Sequence, residues 1–105
     1  MINYLIGTPI EIVKSTSNRV TLLLEVNQIG YEMQIPSRLA RQLSLGNSEN
    51  SEPMQIFTHL QIREDQQILY GFASAAERDL FRQLISVSGI GVQLAIALID
   101  TLGSE

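Results

Sequence analysis

The sequence contains no cysteine among its 105 residues. This absence excludes disulfide bonds, thiolate nucleophiles and cysteine-ligated metals, and it suits a reducing cytosol. Long apolar runs are also missing, because no stretch approaches the ~20 residues that a membrane-spanning helix needs. The start of the chain lacks the basic and apolar segments of a signal peptide. We therefore expect a cytoplasmic protein that does not bind a membrane.

Basic residues are scarce as well. The chain has 7 Lys and Arg against 11 Asp and Glu, which gives a formal net charge of -4 at pH 7. Acidic residues outnumber basic ones both in 1–72 and in 73–105. This balance argues against a nucleic-acid binder that works by bulk attraction. If the chain binds DNA, local geometry must provide the contacts.

Few residues are suited to metal or acid–base chemistry. His59 is the only histidine, so we interpret it as a structural residue and expect no metal and no cofactor. Glu64 and Asp65 are adjacent carboxylates that could serve acid–base or metal chemistry. Adjacent side chains on an extended chain point to opposite sides, however, so the two carboxylates cannot bind one ligand together unless the chain bends. On the residues alone, a solvated hairpin tip is the favoured interpretation.

The first two-thirds of the chain alternate between apolar and polar residues, as half-buried β-strands do. Ser37 is a candidate cap for one short helix that carries Leu39 and Leu43. Several short strands without room for parallel crossovers predict a small antiparallel β-barrel, of which the OB-fold is the commonest at this length. The expected strands are 2–6, 10–14, 19–26, 31–35, 54–62 and 68–72. The expected turns and loops between them are 7–9, 15–18, 27–30, 46–53 and 63–67.

After Phe72 the apolar period lengthens to roughly 3.6 residues, which is the helical repeat. Ser74 and Glu77 form a capping-box pattern at the start of a first helix, and Gly89 is expected to end it. A second helix is expected over 92–102, with Gly103 as its stop. The apolar stripe of the first helix comprises Leu80, Phe81, Leu84, Ile85 and Val87.

The second predicted helix is apolar on nearly every side, so it needs burial on more than one face. One helical hairpin cannot supply that burial, and the chain looks cut off inside a helical domain. The predicted fold class is therefore α+β: a small antiparallel OB barrel over 1–72, followed over 73–105 by the first helix-hairpin-helix of a helical domain. The chain has six aromatic residues, and most of them are expected to face the core: Tyr4, Tyr31, Phe57, Tyr70, Phe72 and Phe81 make up the set.

The connection between the two predicted helices contains a Gly-x-Gly turn. Paired glycines allow positive φ angles and a close approach of another molecule to the backbone. The following helix points its free N–H groups and the positive end of its dipole at the same place, which favours a phosphate. The residues expected to bind phosphate are Gly89, Ile90, Gly91, Val92 and Gln93. On these residues alone, a tight turn between two packed helices is at least as good an interpretation.

Several short motifs, in a fixed order along the whole chain, resemble the RuvA family of Holliday-junction-binding proteins. They are Gly30-Tyr31-Glu32, Phe57-Thr58-His59, Arg63-Glu64-Asp65, Leu69-Tyr70-Gly71-Phe72, Glu77-Arg78-Asp79-Leu80-Phe81 and Gly89-Ile90-Gly91. The resemblance implies four subunits that form a square plate, on which a four-way DNA junction lies open. It also implies that the carboxylates of Glu64 and Asp65 act as an acidic pin where the strands cross. A C-terminal domain absent from this chain would contact the RuvB motor.

The chain departs from this family at one place. Members often carry Pro-Lys after the second glycine of the hairpin, where this chain has Val92 and Gln93. Glutamine can donate only a neutral hydrogen bond. The substitution therefore removes a positive charge while leaving the backbone N–H groups in place.

Three functions are compatible with the sequence. The first is a non-catalytic DNA-binding subunit that recognises four-way junctions and supports branch migration by RuvB. The second is a generic OB-fold module for single-stranded nucleic acid, which would need exposed aromatic residues and a basic groove. The third is an enzyme using Glu64 and Asp65, but the chain lacks a nucleophile, a metal set and a phosphate loop. Arg78 and Arg82 lie four residues apart and are expected to pair with Glu77, Asp79 or a neighbouring subunit.

Overall fold

The computed structural model describes residues 2–15, 19–45 and 52–102. The expected turn at 15–18 and loop at 46–53 lie mostly outside the described residues, as does the expected helix stop at Gly103. Within the described residues, no helix has the length and apolar character needed to cross a membrane. These residues form five strands and three helices: β1 (Tyr4–Lys14), β2 (Val20–Val26), β3 (Ile29–Ile35), α1 (Ser37–Leu45), β4 (Met54–Arg63), β5 (Gln66–Phe72), α2 (Ala75–Ile85) and α3 (Val92–Leu102).

The strands close into a barrel in the order β1-β2-β3-β5-β4, and β1 pairs with β4 to complete it. The neighbours are antiparallel except β3 and β5, which run parallel and meet at Gln34 and Tyr70. Alternation along each strand turns one set of side chains into the barrel and the other set outward. A five-stranded barrel with a helix between β3 and β4 is the OB architecture. The predicted fold class is confirmed.

The first strand differs from the prediction. We expected a break at 7–9, but β1 runs without interruption from Tyr4 to Lys14. Its pairing with β2 shifts by one residue between Pro9 and Glu11 instead. A β-bulge of this kind accommodates a proline, which cannot donate a ladder hydrogen bond, while the strand continues on either side.

Both hairpin turns are tighter than predicted. Asn27 and Gln28 connect β2 to β3 with positive φ angles of 52° and 71°. This backbone fits a two-residue turn whose twist matches that of the flanking strands. Glu64 and Asp65 connect β4 to β5, also as a two-residue turn. In both hairpins the ladder pairing extends to the residues directly beside the turn. Ile29 and Gly30 therefore belong to β3, and the polar residues Arg63, Gln66 and Gln67 belong to β4 and β5.

Two apolar clusters lie on opposite sides of β5. Inside the barrel, fully buried side chains from β2, β3 and β4 include Leu22, Leu24, Met33, Ile35 and Ile56. Outside the barrel, the helical hairpin packs against the other face of β5. This hairpin cluster consists of Tyr70 and Phe72 of β5, Phe81 of α2, and Ala95, Ile96 and Ile99 of α3.

The helix caps only partly follow the prediction. The side chain of Ser74 accepts the N–H of Glu77 at 3.2 Å, which confirms the predicted cap of α2. The predicted cap of α1 is wrong, because the backbone N–H groups of Ser37 and Arg38 donate to the two carboxylate oxygens of Asp100 in α3. Asp100 lies 62 and 63 residues away in sequence, so no local motif reveals it.

The first helix of the hairpin is shorter than predicted. It ends at Ile85 with Ser86 as its C-cap, so Gly89 does not end it. The Ser86 hydroxyl donates to the Gln83 carbonyl at 2.6 Å, and this local bond competes with continued helix. Val87 therefore does not belong to the apolar stripe; it lies beyond the helix and is 52% exposed.

Candidate nucleic-acid interface

The turn between α2 and α3 holds all five residues predicted to bind phosphate. Gly89, Gly91 and Gln93 are exposed, whereas Ile90 and Val92 are half-buried. Gly89 has a φ angle of +92°, a conformation that glycine adopts freely and other residues rarely adopt. The backbone therefore reverses direction here while it stays open to an incoming molecule.

The start of α3 presents a set of free amides. Its first helical hydrogen bond runs from the Ala95 N–H to the Gly91 carbonyl at 3.0 Å. The N–H groups of Val92, Gln93 and Leu94 precede that bond, so they have no acceptor within the helix. The helix dipole adds roughly half a positive charge at this end. This arrangement can accept an oxygen of a phosphate group.

Two of the predicted residues have roles that differ from expectation. The N–H of Ile90 donates to the Val87 carbonyl at 3.1 Å, and the Ile90 side chain packs against the hairpin cluster. Ile90 thus anchors the turn, and its amide is already used. Gly91 does not have a positive φ, and a Cβ built on it meets nothing within 4 Å. Of the two glycines that allow a positive φ angle, only Gly89 has one.

The side chain of Gln93 connects the turn to the barrel. Its Nε2 donates to Oε1 of Gln34 in β3 at 3.0 Å, and the pair is exposed. The sequence did not point to Gln34, because a polar residue on the outward face of a strand looks the same whether or not it contacts another element. Gln93 therefore has a protein partner in addition to any ligand, while its backbone N–H remains at the free end of α3.

The acidic pair lies at the tip of the β4–β5 hairpin. Glu64 and Asp65 are both exposed and occupy the two-residue turn. Tyr70, which is paired with Gln34, lies five residues along β5 from Asp65, so the tip is roughly 17 Å from that level of the sheet. This separation is about twice the Debye length of ~8 Å at physiological salt. The carboxylates therefore act on a different place from the glycine turn.

Among the described residues, no group of three His, Asp or Glu side chains lies close enough together to hold a metal ion. His59 is instead part of the packing between β4 and α2. Its Nδ1 accepts from Nε of Arg82 at 3.1 Å, and its ring lies edge-on to Phe81 at 5.6 Å. Burial and the nearby charge of Arg82 lower the pKa of His59, which keeps the ring neutral and able to accept this bond.

Arg78 is a buried structural residue. Its Nε donates to the Asp79 carboxylate at 3.1 Å, which matches one of the expected pairings. Its guanidinium also donates to the backbone carbonyl and the side chain of Asn3, and it lies 5.7 Å from the centre of the Phe57 ring. Arg78 therefore joins α2 to the residue just before β1 and to β4.

Three of the six aromatic residues are in the core, as predicted, and Tyr31 and Phe57 are half-buried. Tyr70, Phe72 and Phe81 are buried and pack with ring centroids 4.9–5.2 Å apart. Tyr4 departs from the prediction, because it is 50% exposed on the outside of β1, 6.3 Å from the Phe57 ring. One half-exposed pair is a small platform compared with the series of rings on which single strands stack.

The closed five-stranded barrel and the helical hairpin with its exposed glycine turn place this chain in the class of OB-fold domains followed by a helix-hairpin-helix. The sequence profile of the family described as RuvA N terminal domain matches residues 1–71. Two similar relatives are named "Holliday junction branch migration complex subunit RuvA", from Rippkaea orientalis and Crocosphaera subtropica. Each is 69% identical over all 105 residues, which span 49% and 48% of their respective lengths.

A more distant relative of the same name, from Synechocystis sp., is 52% identical over the whole chain, which covers 48% of its length. The chain belongs to the RuvA family. It spans about half the length of the curated relatives that it matches.

Proposed function

We propose that this chain binds the DNA backbone at four-way junctions, as a non-catalytic part of a branch migration complex. The observation that carries the proposal is the exposed turn at the start of α3, with its left-handed Gly89 and free amides, in a chain 69% identical to subunits named for that complex. Backbone amides contact phosphates without reading bases. A recogniser of junction shape needs that property.

Assembly of several subunits is part of this proposal. Exposed contacts between an anion and a helix N-terminus contribute about 0.3–1 kcal/mol each, so one hairpin binds weakly. Four copies on one junction would engage at once and raise the affinity by avidity. Contact with a RuvB motor would involve the part of the relatives that lies outside the matched region.

The test compares three labelled DNAs of equal strand length: a four-way junction, a duplex and a single strand. We expect fluorescence anisotropy to show the tightest binding to the junction, with light scattering on the same samples to give the subunit number. Binding that is tightest to the single strand would overturn the proposal in favour of a generic OB-fold module.

The two glycines of the turn should respond differently to alanine. Gly89→Ala places a side chain at φ +92° and should destabilise the fold by about 1–2 kcal/mol in urea denaturation. Gly91→Ala should leave stability within about 0.5 kcal/mol, because its Cβ enters open space. The same methyl group would stand where a phosphate must approach, so junction affinity should fall. Full junction affinity in the folded Gly91→Ala variant would contradict the phosphate site.

The charge missing at Gln93 can be restored. Gln93→Lys keeps a hydrogen-bond donor for Oε1 of Gln34 while adding a positive charge. It should tighten junction binding at low salt and steepen the log–log salt dependence by ~0.9 for each added phosphate contact. Gln55→Lys makes the same charge change at an exposed position on β4 and serves as the control. Equal salt slopes for the two variants would mean that Gln93 does not face the DNA backbone.

A further inference from the structure

The helix that carries the candidate phosphate site is fastened to the barrel at two points. Near its start, Nε2 of Gln93 donates to Oε1 of Gln34 at 3.0 Å. Near its end, the carboxylate of Asp100 accepts the backbone N–H groups of Ser37 and Arg38 at 3.0 and 2.9 Å. Both partners belong to the short stretch 34–38, where β3 passes into α1.

The spacing of the two contacts matches on both sides. Positions 93 and 100 are seven residues apart, which is nearly two full turns, so both side chains leave the same face of α3 roughly 10 Å apart. An extended chain covers a similar distance between 34 and 37. The helix therefore lies alongside this stretch, and two contacts on one face fix both its direction and its rotation.

The contact at Asp100 is the stronger of the two. Each carboxylate oxygen accepts one of the N–H groups that the start of α1 leaves without a helical partner, and the site is partly buried. A negative charge at this position also complements the dipole of α1. The Gln34–Gln93 contact is neutral and exposed, so it contributes less.

We propose that Asp100 is a positioning residue for DNA binding, which holds the phosphate turn at a fixed place relative to the acidic tip of the barrel. The inference rests on the proposed junction binding. A junction presents phosphates at fixed separations, so a helix that rocks on the barrel would still contact single phosphates but would fit a junction less well. Asp100 would thereby set the preference for junctions over duplex DNA.

The sign of the effect separates this role from plain electrostatics. Asp100→Asn keeps the side-chain shape and removes one negative charge, which by itself favours DNA binding. The proposed positioning role of Asp100 predicts the opposite. Junction affinity should fall about tenfold, as expected for the loss of one hydrogen bond to a charged group, while duplex affinity changes little. Glu25→Gln removes one exposed carboxylate from β2 and is the matched control. Gln34→Ala should act in the same direction as Asp100→Asn, with a smaller effect.

A distance measurement on the free protein tests, without DNA, whether Asp100 holds α3 at a fixed place on the barrel. Because the chain has no cysteine, Gln55→Cys and Ala97→Cys would place one spin label on the barrel and one on α3, both at exposed positions. We expect one narrow distance distribution in this labelled parent and a broader one after Asp100→Asn. The hairpin should remain folded in this variant, because α3 keeps its buried contacts through Ala95, Ile96 and Ile99. A thermal melt checks that it does.

The possible outcomes are distinct. Broadened distances together with a selective loss of junction affinity support the positioning role. Unchanged distances, or junction affinity equal to that of Glu25→Gln, overturn it. If the unsubstituted chain shows no junction preference, the proposed function fails, and the distance distributions still decide whether Asp100 fixes the helix.

Discussion

Phe81→Ala should lower the free energy of unfolding by about 3–5 kcal/mol, as removal of a buried phenylalanine ring does. Phe81 is fully buried at the centre of the contact between the hairpin and the barrel. Its ring lies 4.9 Å from Phe72, 5.2 Å from Tyr70 and 5.6 Å from His59, measured between centroids. The loss would be a large fraction of the 5–15 kcal/mol typical of a folded domain.

Urea denaturation measures this effect directly, and Val87→Ala is a suitable control. Val87 lies just beyond the same helix and is 52% exposed, so its truncation should stay within about 0.5 kcal/mol. A cost below about 1 kcal/mol for Phe81→Ala would show that the hairpin does not depend on this cluster for its attachment. The prediction concerns the fold alone and does not depend on DNA binding.

Neutralising the hairpin tip should tighten duplex binding and reduce the preference for junctions. In the combined variant Glu64→Gln and Asp65→Asn, the turn keeps its size and loses two exposed negative charges. One exposed charge contact changes affinity by about fivefold at most. Because two charges are removed, we expect duplex affinity to rise on the order of tenfold. Junction affinity should change less, because the centre of an open junction leaves room for the carboxylates.

The control for this variant is Glu11→Gln combined with Glu25→Gln. It removes two exposed carboxylates from β1 and β2, so it makes the same change in net charge elsewhere on the barrel. Because the tip lies roughly 17 Å along the sheet from the level of Gln34, its neutralisation should not alter the number of phosphate contacts made by the turn. Equal effects of the two double variants would remove any special role for Glu64 and Asp65.

The barrel could be predicted because its strands have one face in water and one in the core, which leaves a period of two in the sequence. Tyr70 and Phe72 are buried as predicted, but they lie outside the barrel under the helical hairpin, which a period of two could not show. The period also could not reveal that β1 continues through Pro9, since a bulge changes the register without changing the composition. Nor could it locate the ends of the hairpins, because pairing there continues through polar residues.

The candidate site was predictable only where it is local. The Gly-x-Gly pattern identified the turn and the free end of α3, and the phosphate contact itself stays a prediction. Two side chains that fix this helix, Gln34 and Asp100, were missed because their partners lie 59 to 63 residues away. The pattern also could not show which of the two glycines takes a positive φ angle, which is Gly89 and not Gly91.

An amide NMR titration of this chain with a four-way junction tests most directly whether the start of α3 binds the DNA backbone. We expect the amide signals of Gly89, Gly91, Val92 and Gln93 to shift most. The Ile90 amide should move less, because it already donates to the Val87 carbonyl. Shifts concentrated on the outer faces of the barrel strands, with the turn unchanged, would contradict the claim that the start of α3 binds the DNA backbone.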